Sequence, residues 1–353
     1  MSRPKLRHTW LDATRGLGVI LVVHGHVMRG LEKARELPDA AWVSWADFTL
    51  YSFHMPLFFL LAGLNLFHSL DKGPRRFLGE KLWTVAWPYV LWSLVQGGVG
   101  LVLAGRTNSP MTVESLLGIG WRPIAQFWFL YALMALHLAA LLVGRRPWLL
   151  LLAGAAAFAC SGLAPDGSLV RGGLHGALFY AAGAVLGPRL RDASPPSSLT
   201  AGAGLIVCGL LFAACVAACG PLSGMTASAR IVLPCAILGV AMALCAGWAV
   251  RGVAAEVLAY VGRASMTIYV LHILAASGVR VACKAAGVDP PWPVDVALGL
   301  SVGVLAPLAV YAALRRYDLL WPFGLAPRPR RPAPPAGRDA FAAEAAAVQA
   351  SDR

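Results

Sequence analysis

Long apolar runs recur along almost the whole of this sequence, separated by short polar breaks, and that pattern restricts the fold more than any other feature. Runs of at least about 16 mostly apolar residues, read as membrane-crossing helices, place spans at 11–28, 48–68, 82–103, 124–143 and 148–163. The second half gives 173–190, 199–219, 231–250, 264–282 and 294–314, with the fifth and sixth spans short. A backbone in hydrocarbon must satisfy its own polar groups, which a helix does. The expected fold is therefore all-α, a polytopic transmembrane helical bundle of about ten spans. One membrane domain covers 1–320. After it the composition shifts to Pro, Arg and Ala, and 321–353 is expected to be a disordered cytoplasmic tail. Hydrophobic residues make up 58% of the chain and charged residues 13%. Soluble domains hold about 45–50% and about 25%, so a soluble core could not hide this much apolar surface.

A net charge of +13 would suggest nucleic acid in a soluble protein. Here the cations sit between apolar runs, and basic tracts with interleaved aromatics, zinc-type spacings and phosphate loops are all missing from the sequence. With the N-terminus inside, the inner segments hold twenty Lys and Arg and the outer segments nine. That asymmetry predicts both termini in the cytoplasm and accounts for the basic balance without a nucleic-acid partner. Trp42, Trp45, Trp121 and Trp292 fall at outer ends and Trp83, Trp148 and Trp321 at inner ends, as two aromatic belts. No small-residue cleavage site follows the first span, which is expected to be retained. The seven cysteines lie in or at the end of apolar runs and do not form a disulfide framework. Cys208, Cys215 and Cys219 share a helix face but have no histidine or carboxylate beside them, so no metal site is expected.

Ionisable groups inside a span cost about 2.5–3.5 kcal/mol each on insertion scales, which makes the few present candidates for function. The first span holds Arg15, His24 and His26 in the run RGLGVILVVHGH. Eleven positions separate Arg15 from His26, which puts them within about 20° on one helix face and about 16 Å apart in depth; His24 points about 200° away. Asp12, one turn before Arg15, can pair with it. These residues also have an ordinary reading, in which Arg15 snorkels to the inner headgroups and His26 packs on a polar neighbour. His54, in YSFHMPLFFLLAGLNLF, lies at a depth similar to His26, and Pro56 beside it frees a backbone carbonyl. Tyr269 and His272, three apart in GRASMTIYVLHIL, can share a face. His8, His68, His137 and His175 have no partner in the sequence and are expected to be packing residues.

Four segments carry a resemblance. WLDATRGLGVILVVHGH resembles the first helix of the acyltransferase family 3 membrane O-acyltransferases, in which an arginine, ten residues and a histidine follow one another; Arg15 and His26 match. YSFHMPLFFLLAG is similar to the family's second-helix signature, FWFLYAL at Phe127 to Leu133 to its middle motif, and GRASMTIYVLHIL to the one near the end. The first two are closest in wording to the fucose 4-O-acetylase-like branch. Ala62-Gly63 stands where a Ser-Gly pair is commoner, and the basic loop reads RRFLGEK where arginines often recur more closely.

The resemblance implies a membrane enzyme of the bacterial inner membrane that moves an acyl group, commonly acetyl, from acyl-CoA to a hydroxyl of a sugar or cell-envelope glycan or glycolipid. It implies no bound cofactor, the acyl-CoA being a substrate. Arg15 with Arg75, Arg76 and Lys81 is expected to hold the anionic donor at the inner face. His26 is the expected general base, since a neutral imidazole suits that task near neutral pH. His54 or His272 then orients it or stabilises the oxyanion. The rival classes are a transporter or flippase of glycolipid or small solutes, and a non-catalytic scaffold. Transporters usually carry mid-span carboxylates and repeated halves, which the sequence does not display.

Overall fold

The computed structural model describes residues 9–38, 40–103, 111–192 and 196–328. Arg3, Lys5, Arg7, His8, Arg106, Asn108 and the tail from residue 329 lie outside them. Every regular element among the described residues is helical, in the order α1 (Thr9–Lys33), α2 (Ala41–Tyr51), α3 (His54–Gly63), α4 (Leu66–Leu70), α5 (Pro74–Lys81), α6 (Trp87–Val102), α7 (Val113–Leu117) and α8 (Trp128–Val143). Then follow α9 (Pro147–Cys160), α10 (Leu169–Asp192), α11 (Ser198–Leu222), α12 (Leu233–Ala249), α13 (Gly252–Arg263), α14 (Ser265–Ala285) and α15 (Trp292–Arg316). Among the described residues eight helical stretches are long and apolar enough to cross a membrane. The predicted first and fifth spans correspond to the 25-residue α1 and to the shorter apolar stretch Pro147–Leu163. The protein is a helical membrane bundle.

Burial sorts the helices by what surrounds them. On α11, Leu199, Ile206, Val207, Leu210 and Leu211 are all exposed, as a lipid-facing helix requires. By contrast, α1 packs against α3, α12, α13, α14 and α15 and buries residues on every side. That is why α1 can carry ionisable groups: Asp12 is buried, and Arg15, His24 and His26 are half-buried. The close crossings use glycine. At Gly16 an added Cβ would strike the Leu258 carbonyl of α13, and at Gly262 the Asp12 carbonyl of α1, so the two backbones touch. Gly63 of α3 meets the Tyr180 carbonyl of α10, while Gly183 and Gly187 meet the carbonyls of Leu60 and Leu64.

Three segments differ from the sequence expectation. The second span is not continuous, because α2 ends at Tyr51 and α3 starts at His54. Pro56 falls in the first turn of α3, where a missing N–H costs nothing; at the break the Thr49 carbonyl accepts from Ser52 Oγ at 2.8 Å, and the Leu50 carbonyl from His54 Nδ1 at 2.8 Å as well as from the Phe53 N–H at 3.4 Å. The basic RRFLGEK segment is helix, not loop, and runs from α5 into α6 through a π-helical turn at Leu82–Ala86. Residues 252–263, expected to be an inner loop, form α13, entered through Gly252 at a φ of 59°.

The aromatic belts hold together in space. Trp42 pairs with Trp292, ring centroids 5.4 Å apart, and Trp83 with Trp321 at 5.9 Å. Past α15 the chain turns back onto α6: the indole N–H groups of Trp83, Trp87 and Trp92 donate to the carbonyls of Trp321, Pro322 and Phe323 at 3.2, 2.8 and 3.1 Å. The packed chain thus continues through Leu325, which is buried.

Candidate active site

The four segments singled out in the sequence come together. Phe58 and Phe59 of α3 pack on Phe129 with centroids 6.3 and 4.9 Å apart. Tyr269 of α14 sets its ring 6.0 Å from Phe129 and donates its hydroxyl proton to the Gln126 carbonyl. Gly18 of α1 faces Phe58, and Gly25 faces Tyr51. These contacts fix the depths of three histidines. His26 and His272 stand with ring centroids 5.0 Å apart, and His54 lies within electrostatic reach of His26. His54 and His272 are fully buried.

Carbonyl oxygens set the tautomers, because a carbonyl can only accept. His54 Nδ1 sits 2.8 Å from the Leu50 carbonyl, and His272 Nδ1 sits 2.8 Å from that of Tyr269 and 3.1 Å from that of Ile268. In each neutral ring Nδ1 therefore carries the proton and Nε2 offers a lone pair. His272 Nε2 is buried with no hydrogen-bond partner. The His26 ring is its aromatic neighbour on the cavity. Neither neutral His54 nor neutral His272 can donate from Nε2 to an oxyanion.

His26 and His272 line a cavity of about 330 Å³ between α1, α6, α14 and α15. Its walls are mostly apolar, with Leu31, Val99, Leu103 and Met111 among them, and Arg29, Lys33, Arg280 and Asp295 are its charged members. His24 and His54 are not among the lining residues. Two features escaped the sequence reading. Arg29 grips Asp47 through two bonds of 2.6 and 2.8 Å while its guanidinium lies 3.2 Å over the Tyr51 ring, bracing α1 against α2 beside the site. Gln96 lines the cavity and exchanges two hydrogen bonds with Gln126.

The expected donor residues lie elsewhere. Arg15, eleven residues from His26 and so about 16 Å along the helix, pairs with Asp12 at 2.9 Å and is only partly buried. On α5 Arg75 and Arg76 are exposed, Arg76 approaches Glu80 at 3.8 Å, and Lys81 lies over the Phe77 ring. The two sets of cations are held by different partners. Of the histidines expected to pack, His137 bonds the Tyr180 hydroxyl at 2.7 Å, His175 stacks on Phe158 and His68 is exposed.

An imidazole pair thus stands on a cavity inside an all-helical membrane bundle. The chain belongs to acyltransferase family 3, whose acyltransferase domain matches residues 8–312. Part of it is similar to nodulation protein NolL of Mesorhizobium japonicum, 28% identical over 124 residues that make up 34% of this chain and 32% of that protein. The match thus spans about a third of the relative's length. No solved structure matches the chain.

Proposed function

We propose that the enzyme transfers an acyl group, acetyl in the first instance, from acyl-CoA to a hydroxyl of a sugar or cell-envelope glycan in the manner of the fucose 4-O-acetylase-like branch. The observation that carries this is the His26–His272 pair on the cavity, with the lone pair of His272 Nε2 unclaimed. His26, oriented through that lone pair, takes the proton of the acceptor hydroxyl as its oxygen attacks the thioester carbonyl. The C–O bond forms, the C–S bond breaks, and the imidazolium returns its proton to the departing CoA thiolate. His54 holds the wall behind His26. Arg15 with Arg75, Arg76 and Lys81 receives the CoA phosphates at the inner end; the positive-inside asymmetry supports a ten-span chain in the bacterial inner membrane with both termini in the cytoplasm.

The test compares envelope glycans of wild-type and deletion cells by mass spectrometry, alongside labelled acetyl-CoA supplied to membranes. Loss of O-acyl groups on deletion, restored by the wild-type gene and not by His26→Ala, is expected. Unchanged glycan acylation in the deletion strain overturns the assigned acceptor.

A further inference from the structure

The wall of the cavity carries a polar group that the transfer step above does not use. Gln96 on α6 and Gln126 just before α8 exchange hydrogen bonds in both directions, Gln96 Nε2 to Gln126 Oε1 at 3.2 Å and Gln126 Nε2 to Gln96 Oε1 at 2.8 Å. Both are buried, Gln96 at 8% exposure and Gln126 at 2%, and only Gln96 reaches the cavity. Primary amides in an apolar wall cost free energy unless paired. Packing alone is met more cheaply by two leucines.

The backbone is also arranged to hold this pair. Gln126 lies in a 3-10 turn, its own carbonyl accepts from the Tyr269 hydroxyl, and its neighbour Ala125, which lines the cavity, has a φ of 44°. A residue with a Cβ rarely adopts that conformation, and such strain persists only where the surroundings impose it, most often at ligand sites. A reciprocal amide pair uses one N–H and one lone pair of each member. On Gln96 that leaves one N–H and one oxygen lone pair. A hydroxyl both donates and accepts, so this remainder complements it, whereas an oxyanion would use only the N–H.

We infer that Gln96, held by Gln126, is a specificity-determining residue that binds a second hydroxyl of the acceptor, so that the preferred acceptor is a polyol, such as a pyranose. This rests on the acyl-transfer reading above and adds a subsite to it.

The experiment uses the full chain purified in detergent, labelled acetyl-CoA, and a glycan-and-glycolipid extract of the deletion strain at varied concentration. Wild type, Gln96→Leu, Gln126→Leu and the double variant Gln96→Leu/Gln126→Leu are compared. The single variants strand one buried amide, whereas the double variant removes both partners and restores an apolar wall, which is close to neutral for folding. The apparent KM for the extract should rise about 10–100-fold in Gln96→Leu and stay raised in the double variant, while KM for acetyl-CoA stays within about 2-fold. If the double variant regains the wild-type KM, the pair is a packing device and the inference is wrong. A fall in kcat with the extract KM unmoved assigns the amide to the oxyanion instead and equally overturns it. Wild type that labels nothing in the extract overturns the acyl-transfer reading itself, and the subsite with it.

Discussion

At the scale of single residues, the carbonyls of Leu50 and Tyr269 decide the roles of two histidines, since each holds an Nδ1 proton and turns an Nε2 lone pair toward the interior. In the proposed mechanism His26 is the ring that accepts the proton from substrate. His26→Ala should insert and fold normally and lose about 10²–10⁴-fold in turnover, as removal of a general base does. His24→Ala should be much milder, because His24 does not line the cavity. A purified His26→Ala protein that acylates at the wild-type rate rules the mechanism out. Arg15 is predicted to act on the donor alone. Titrating acyl-CoA should show weaker binding for Arg15→Ala, partial recovery for Arg15→Lys, which lacks the bidentate fork, and near-normal binding for His26→Ala. If folded Arg15→Ala keeps wild-type affinity, the Arg15–Asp12 pair is an anchor for α1 and nothing more. The histidines were legible in the sequence because an ionisable group in an apolar run is costly and so stands out. Gln96 and Gln126 were not: an uncharged amide is a weak signal, and its partner lies 30 residues away.

At the scale of elements, the helices seat α1 and thereby the site. Gly262→Ala would put a methyl group against the Asp12 carbonyl and force α13 off α1. Overpacking of this kind costs about 1–3 kcal/mol, so the variant should melt earlier in detergent and lose activity in proportion to the shift of α1. Gly278→Ala, which meets open space, is the control and should leave the melting temperature within error. The long spans could be read from hydropathy, since each exceeds the thickness of hydrocarbon. The 12-residue α13 and the 8-residue α5 could not, because they are too short to span and too charged to join a neighbouring run. The break in the second span was half legible. Pro56 announced an irregularity, but the gap falls at Ser52 and Phe53, where the Ser52 and His54 side chains bond the Thr49 and Leu50 carbonyls.

At the scale of the whole molecule, the uneven distribution of Lys and Arg demands an even number of crossings. Reporter fusions in the tail should read cytoplasmic and a fusion at Pro38 external; a periplasmic tail removes the ten-span topology. Ending the chain at Arg316 would take away the three carbonyls that Trp83, Trp87 and Trp92 bond. At about 0.5–1.5 kcal/mol each, their loss should lower the melting temperature of the purified protein. A truncated protein that melts with wild type would show that the turn is only an appendage.

That same turn bears on how the molecule is made. Its bonds to the α6 end of the bundle join residues 231 to 238 positions apart in sequence, so the segment that completes this end leaves the ribosome long after α6 has done so. Until then three indole N–H groups wait near the membrane surface, the zone in which tryptophan rests most easily with one edge wet and the other apolar. These three donors can therefore stay hydrated while the helices insert one by one, and the fastening comes only after α15 has been made.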